Sequence, residues 1–479
     1  MAARPVMHEI DAKPVRVSAI LGGDIRLEAS TYLREGYGLT RLAKQVPGHA
    51  TLGELADIWQ PGRLTGYTVP EGKGLPFLTA GQVFEDFPRV RKWLAKPFVP
   101  QLESRYVSQD WLLLTCSGVV GNVTAVYPHH LNTVITHDLL RIVPKDSAEY
   151  GWLYAYMKTD FFTQIARAAQ YGHMIKHIEV THASAFPVIM PEEAVRREIG
   201  NVATEAIRLR TRGWELRDEA FKLLEEHVGW NQEKMRNKDS DIAMQAVSAS
   251  QILPMRVRLD ASTYCGDVNR AEEALQKFTQ DTIESVTKSI YLPSRFARVY
   301  GEGGVPFVTP SDLFDVNAKP TKRIYAKLVS SRDQFILRSG ELLMVRSGQK
   351  YGLLGRVMVL NDNHDGLFGS DDPIRIVPDD TKMRAGYLAT FLNDPVLGRP
   401  LVVRLAYGTS IPHLDPGDIR KLCIPRLGEG NEAAIADLMD ESVRLSAEAD
   451  RMENEAISRA QEQIDASIGA SSSQARRGR

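Results

Sequence analysis

Cations set among aromatic rings are the residues of this chain best suited to chemistry, and they occur twice. After the run GLPFLTAGQVF (Gly74–Phe84) come Arg89, Arg91, Lys92, Lys96 and Arg105, interleaved with Phe87, Trp93 and Phe98. After GVPFVTPSDLF (Gly304–Phe314) come Lys319, Lys322, Arg323, Lys327 and Arg332, with Tyr325 among them. Such a stretch suits a nucleic-acid backbone, because the cations neutralise phosphates while the rings pack the loop. An ordinary solvated face is the alternative, and recurrence at matching positions favours binding. Two turns add hydrogen-bonding groups: SGVVGNV (Ser117–Val123) and SGQKYGLLGRV (Ser347–Val357). Their backbone N–H groups suit phosphate, and Asn122, Gln349 and Lys350 are long enough to reach base edges. The loops Tyr171–Lys176 and Tyr407–Pro412 carry Tyr171, His173, Lys176, Tyr407, Thr409 and Ser410 and suit the same role.

No catalytic constellation accompanies these groups. The chain has no P-loop and no GxSxG elbow. GEGG at Gly301–Gly304 lacks the strand–GxGxxG–helix context and reads as a plain turn. With no Pro-Pro dipeptide, an NPPY-type adenine methyltransferase motif is excluded. PDDTK (Pro378–Lys382) follows a strand and reads as a solvated turn. His173 and His177 have metal-ligand spacing on a helix, but the second copy has Thr409 and His413 there, with Pro412 between. His177 and His413 are therefore expected to satisfy local hydrogen bonds. No catalytic residue and no metal ligand is assigned.

Composition narrows the class further. A chain of 479 residues, 43% of them hydrophobic, suits two or three domains. Lys+Arg total 59 against 60 Asp+Glu, a formal net charge of -1, which argues against a polybasic non-specific binder but not against a local basic patch. The three cysteines (Cys116, Cys265, Cys423) are scattered, so neither a disulfide framework nor a zinc site is expected, and a reducing, cytoplasmic setting is. The N-terminus lacks a signal-type apolar segment, and no run is long enough to span a membrane.

The elements that position these groups are repeated with a period of about 230 residues. RLEASTY (Arg26–Tyr32) returns as RLDASTY (Arg258–Tyr264), and TLGEL (Thr51–Leu55) weakly as TIESV (Thr282–Val286). The GxPFxT runs above follow in register. LLLTCSG (Leu112–Gly118) returns as LLMVRSG (Leu342–Gly348), and LLRIVP (Leu139–Pro144) as PIRIVP (Pro373–Pro378). GWLYAYM (Gly151–Met157) returns as GYLATFL (Gly386–Leu392), and YGHMIKHI (Tyr171–Ile178) as YGTSIPHL (Tyr407–Leu414). Matches in the same order with small drift indicate one fold occurring twice, with insertions confined to loops.

Each copy reads as a mixed α/β globule. LPFLTA, WLLLTCSG, VTAVY and LLRIVP are short apolar runs bounded by Gly or Pro, hence strands. GWLYAYMKTDFFTQIARAA has the spacing of one helix. After the first globule, Val195, Ile199, Val202, Ala206, Leu209, Gly213, Leu216, Ala220 and Leu223 alternate 4 and 3 apart, the seam of a helix that packs lengthwise on another. Pro191 with two acids suits its start and Gly229 its stop. After the second globule, Ile435, Leu438, Ser442, Leu445, Ala449, Met452 and Ala456 give a smaller seam, so each helix is the simplest partner for the other. The expected division is residues 1–190 and 252–426 as the two recognition globules and 191–229 and 427–467 as long helices. Residues 230–251 form a polar linker and 468–479 a disordered tail.

This order resembles the specificity subunits of type I restriction-modification systems. TLGELADI resembles that family's opening motif. The SG turns, the YG…H segments and the strand-to-helix junctions FPVIMPEE and LCIPRLGE resemble its later ones. The junctions lack the usual PLPP run, and the second copy's opening motif is eroded. The resemblance implies an α/β (α+β) fold: two tandem homologous target-recognition domains with long antiparallel coiled-coil helices, pseudo-two-fold symmetric. It implies a non-catalytic subunit that reads a bipartite site in double-stranded DNA, with the helices as spacer. Its expected partners are two adenine methyltransferase subunits, which would hold S-adenosylmethionine, and restriction/translocase subunits. No cofactor is expected in this chain. A protein-interaction scaffold for an anti-phage complex is the alternative, and a nuclease with a cryptic site a third reading.

Overall fold

The computed structural model describes residues 14–17, 20, 28–172, 174–230, 246–252, 258, 260–264, 266–317, 319, 320 and 322–477. His173, Cys265, Arg26, Leu27 and positions 231–245 of the expected linker lie outside the described residues. The chain forms two compact units: one comprises the residues up to Phe84, Lys92–Arg208 and those from Arg451 onward, the other Glu85–Arg91 and Leu209–Asp450.

In the first unit, four antiparallel strands lie in the order Ala56–Trp59, Leu139–Pro144, Leu112–Thr115, Val123–Ala125. Leu112, Leu113 and Leu114 are all fully buried, which is why the strand reads as an unbroken apolar run rather than an alternating one. A smaller sheet has the order Thr68–Val69, Lys92–Leu94, Leu75–Leu78, Val134–Ile135, its last pair parallel. Arg141 staples the two sheets. Its fully buried guanidinium donates to the carbonyls of Thr136 (2.9 Å), Leu139 (2.6 Å), Ile135 (3.0 Å) and Arg105 (3.3 Å). Burial pulls its pKa down to about 10. The TLGEL motif is a capping box, in which the Glu54 carboxylate accepts from the Thr51 backbone N–H (2.6 Å) and hydroxyl (2.9 Å). Those bonds hold Glu54 below the usual carboxylate range.

In the second unit the strand order is Thr287–Tyr291, Ile374–Pro378, Leu342–Met344, Val357–Val359, again antiparallel throughout. Its smaller sheet runs Lys322–Ile324, Tyr300–Val308, Phe368–Gly369, and the last pair is again parallel. Each unit also has a two-stranded ribbon that brings its opening motif beside the strand leading to a long helix: Ala50–Thr51 with Pro187–Val188, and Gln280–Thr282 with Cys423–Pro425. GEGG is not the plain turn its sequence suggested. Gly301–Gly304 lies within the strand Tyr300–Val308, whose register shifts between Tyr300 and Val305. A Cβ at Gly304 would sit 2.5 Å from the Ile324 backbone, so the bulge needs glycine there.

The long helices span Glu193–Val228 and Glu429–Arg477. Gly229 follows the first at φ 73, the left-handed stop that glycine permits. The second continues through the ASSSQARR stretch that composition assigned to a tail. Within the second unit the helices lie side by side and antiparallel. Arg210 pairs with Asp450 (2.5 Å), and a Cβ on Gly213 would meet Ser442 and Leu445. Within the first unit Arg459 pairs with Glu198 (2.6 Å). The buried face is wider than the strict seam. Trp214, Phe221, Leu224 and Val228 are also buried, and the last three join the second unit's core. A helix covered by both a partner helix and a globule needs that broader apolar stripe.

The GW/GY motif has a packing reason. A Cβ on Gly151 would strike the Gly200 carbonyl of the first long helix, and one on Gly386 would meet the Ala436 carbonyl of the second. The helix expected over Gly151–Ala169 is two: Tyr150–Met157 and Asp160–Ala169. Thr159 breaks it, because its hydroxyl caps the second helix by accepting from the Phe162 N–H (3.2 Å) and also donates to the Tyr156 carbonyl (2.6 Å).

Candidate nucleic-acid interface

The SG turn and the YG…H loop, far apart in sequence, meet in each unit on the same backbone hydrogen bonds. In the first, Tyr171 and His177 exchange N–H···O bonds (2.9 and 2.8 Å), Ser117 bridges His177, and the Gly118 N–H donates to the Lys176 carbonyl (2.9 Å). In the second, Tyr407 and His413 exchange bonds of 2.9 and 2.8 Å, Ser347 bridges His413, and the Gly348 N–H donates to the Pro412 carbonyl (3.1 Å). Matching glycines take left-handed backbone: Gly118 (φ 75) and Gly348 (φ 140), Gly121 (φ 100) and Gly355 (φ 73), Gly172 (φ 96) and Gly408 (φ 101). Other residues adopt those angles with strain, so glycine at these places fixes how the loops turn.

Side chains differ where backbone agrees. In the first unit Asn122 is exposed, while the Tyr171 hydroxyl donates to Glu179. The Lys176 ammonium donates to the Gly172 carbonyl and lies 3.6 Å from Glu28. In the second, Gln349, Thr409 and Ser410 are exposed, Tyr407 and Lys350 half-buried, and the Gln349 amide donates to the Ser410 carbonyl (3.1 Å). Ser347 Oγ lies 2.7 Å from Asp372 Oδ1 and 2.8 Å from His413 Nδ1. This is not a nucleophile's arrangement. There the imidazole stands between serine and acid, whereas here the serine stands between acid and imidazole. If its one proton goes to Asp372, His413 must donate through Nδ1, and the three groups fix the loops together.

The basic stretches divide. Lys92 and Lys96 are exposed on the small sheet of the first unit and the short turn after it, beside an edge-to-face pair of exposed rings, Tyr67 and Phe98 (5.0 Å). Lys319, Lys322 and Lys327 are exposed at the matching place in the second unit, near Tyr325 and Leu328. Arg323 is exposed, but its Nε is bonded to the carbonyls of Glu302 (3.0 Å) and Gly304 (2.9 Å) and holds the bulge.

Lys92 and Lys96 belong to the first unit, whereas Glu85–Arg91, with Arg89 and Arg91, belongs to the second. There the Arg91 guanidinium pairs with Glu85, and Arg356 lies 3.5 Å from the same carboxylate. Burial raises Glu85 despite both cations and lowers Arg356 to about 10. The Asp86 carboxylate accepts from Trp214 (3.0 Å) and Arg217 (3.1 Å), which outweigh its burial and hold it below the usual range. The charges of Glu85, Asp86 and Arg91 are thus paired within the second unit. Periodicity gave no sign of it, and the only sequence signal was the acid pair Glu85–Asp86 set against the arginines.

Sequence reasoning also missed the apolar loop tips. Val119, Met174 and Ile175 in the first unit, and Tyr351 and Ile411 in the second, are among the exposed large apolar side chains. They stand beside the residues singled out, but the rules that find strands and helices are silent in loops.

No family model matches the chain, and no curated protein matches it. Among solved structures it is similar to the type I restriction-modification system S subunit from M. genitalium, at 13% identity over 88% of this chain and 94% of that one (TM-score 0.31). It is also similar to a chain from a structure of complex assembly and conformational transition in the type I R-M system, at 15% identity over 88% and 96% (TM-score 0.27). A third is the HsdS subunit from Thermoanaerobacter tengcongensis, at 16% identity over 86% and 96% (TM-score 0.26).

Proposed function

We propose that this chain is the DNA-specificity subunit of a type I restriction-modification complex, with one target-recognition domain in each unit reading one half of a bipartite duplex site. One observation carries the reading. The same two loops rest on the same backbone hydrogen bonds in both units and present different side chains. A module reused for recognition needs a constant frame and a variable surface. The ordered repeat and the shared strand order support a tandem duplication, and the approximate dyad of duplex DNA suits a duplicated reader.

The division of labour follows from the chemistry of the groups. Lys92, Lys96, Lys319, Lys322 and Lys327 hold phosphates. Asn122, Gln349, Lys350, Thr409 and Ser410 reach base edges. Tyr171, Tyr407 and Lys176 frame the loops. The chemistry belongs to partners: two adenine methyltransferase subunits carrying S-adenosylmethionine, which flip the target base, and restriction/translocase subunits. The long helices set the spacing between half-sites and give the methyltransferases a surface.

The test is selection of random-sequence duplexes by the full chain with its methyltransferase partner. The expected winner is two short defined blocks separated by unspecified bases, bound with an affinity that falls steeply with salt. An unchanged sequence pool would leave the scaffold reading in its place.

A further inference from the structure

We infer that the apolar tips of the paired loops are base-contacting elements, which enter a groove of the duplex and meet thymine methyls or base faces. The inference rests on the DNA-specificity reading and names the side chains that supply part of that specificity. Met174 is 98% exposed, Tyr351 64%, Val119 63%, Ile175 58% and Ile411 56%. Scattered exposed apolar residues are ordinary, but here they gather at the ends of two loops already joined by backbone hydrogen bonds. Glycines with left-handed backbone shape the turns that lead to those ends, where the side chains are displayed to solvent.

The identity of the occupant follows from comparing the units. Two copies of one protein partner would require the same contact surface on each unit. The tips differ in number, size and shape: a valine, a methionine and an isoleucine against a tyrosine and an isoleucine. Different halves of a DNA target require such a difference. Donors and acceptors stand alongside: Asn122 in the first unit, and Gln349, Thr409 and Ser410 in the second. Apolar side chains flanked by hydrogen-bonding groups match a groove floor, where a thymine methyl lies beside polar base edges.

The experiment uses the full chain and the duplex it selects from random sequence, with a scrambled duplex as the non-specific probe. The triple variant Val119→Ser/Met174→Gln/Ile175→Ser should lose about tenfold or more of its preference for the selected duplex. Its affinity for the scrambled duplex and its salt dependence should stay unchanged, because no phosphate contact is removed. Relaxed selection should appear in one half of the target only. Tyr351→Ser/Ile411→Ser should relax the other half, and Met174→Leu should keep the preference. All these side chains are exposed, so unaltered thermal unfolding is expected of each variant. Full preference in both multiple variants would overturn the inference. So would loss of methyltransferase co-purification with preference intact, which would make the tips a protein dock. An unaltered chain that selects no sequence would instead overturn the specificity reading itself, and that result is visible before any variant is made.

Discussion

The two units agree in backbone where their loops are anchored and disagree in side chain where those loops end. Tyr171–His177 and Tyr407–His413 are bonded almost identically, while Met174 faces solvent in one unit and Ser410 in the other, each beside an exposed isoleucine, Ile175 or Ile411. The difference separates two kinds of constraint. Left-handed glycines and bridging hydrogen bonds are demands of the fold, and both units obey them. Tip residues meet no such demand, so what they share or lack reports on ligand.

Buried charge gives a sharper contrast and the largest expected effect. Arg141 makes four hydrogen bonds to carbonyls. Arg375, at the matching place, donates one, to Phe335 (3.3 Å), and its Nε and Nη1 have no partner. Arg141→Met should therefore cost about 3–5 kcal/mol, because it strands buried carbonyls, and Arg375→Met only about 1–2 kcal/mol. Urea unfolding of the full chain, with hydrogen exchange reporting each unit separately, measures both. Equal losses would mean that the two staples do equal work.

The response to acid should differ next. His130 is buried and His364 half-buried at the matching place, and desolvation holds each at about 4. An unfolded histidine takes up its proton near 6.5, so each contributes stability that is complete above that pH and is lost as pH falls towards 4, about 3 kcal/mol in all. In the second unit, burial raises Asp394 to about 7. That carboxyl is protonated in the fold where the unfolded chain has released its proton. Its contribution is therefore present at low pH and lost as pH rises from about 4 to about 7, opposite in sign to that of His364. Acidification from pH 7 to near 4.5 should loosen the first unit more than the second. Exchange rates corrected for their intrinsic pH dependence check this, and earlier loss in the second unit would contradict it.

The smallest contrast lies in the opening motifs. Thr51 and Glu54 form a full capping box, whereas Thr282 caps alone, accepting from the Ser285 N–H (3.3 Å). Thr51→Ala should cost about 1 kcal/mol and Thr282→Ala about half that. The same unfolding measurement resolves the pair.

These contrasts show what the sequence made legible. The ordered matches located equivalent elements, among them the strands Leu112–Thr115 and Leu342–Met344 and the helices Tyr150–Met157 and Ala385–Asn393, since packing and backbone geometry hold such runs constant. The alternating seam located the long helices, because a 3.6-residue period survives changes of side chain. What stayed hidden depended on contacts between distant residues. Thr159 ends a helix that spacing alone would continue, through a local hydroxyl bond. Glu85 pairs with Arg91 inside the second unit, where a linear reading saw a free cation, and Asp86 pairs with Arg217 there. Gly301–Gly304 became a strand bulge because Arg323 and Tyr325 pack against it. The candidate site was half visible: the loops were found, but not that Ser347, Asp372 and His413 would lock one pair, nor that the tips would be apolar.

The central claim is that each unit reads its own half of one DNA target. Replacing residues 20–190 with the equivalent domain of a relative of different specificity tests it most directly, with methylated sites mapped before and after. The account predicts a new sequence in one half and an unchanged sequence in the other. A change in both halves, or in neither, would contradict it.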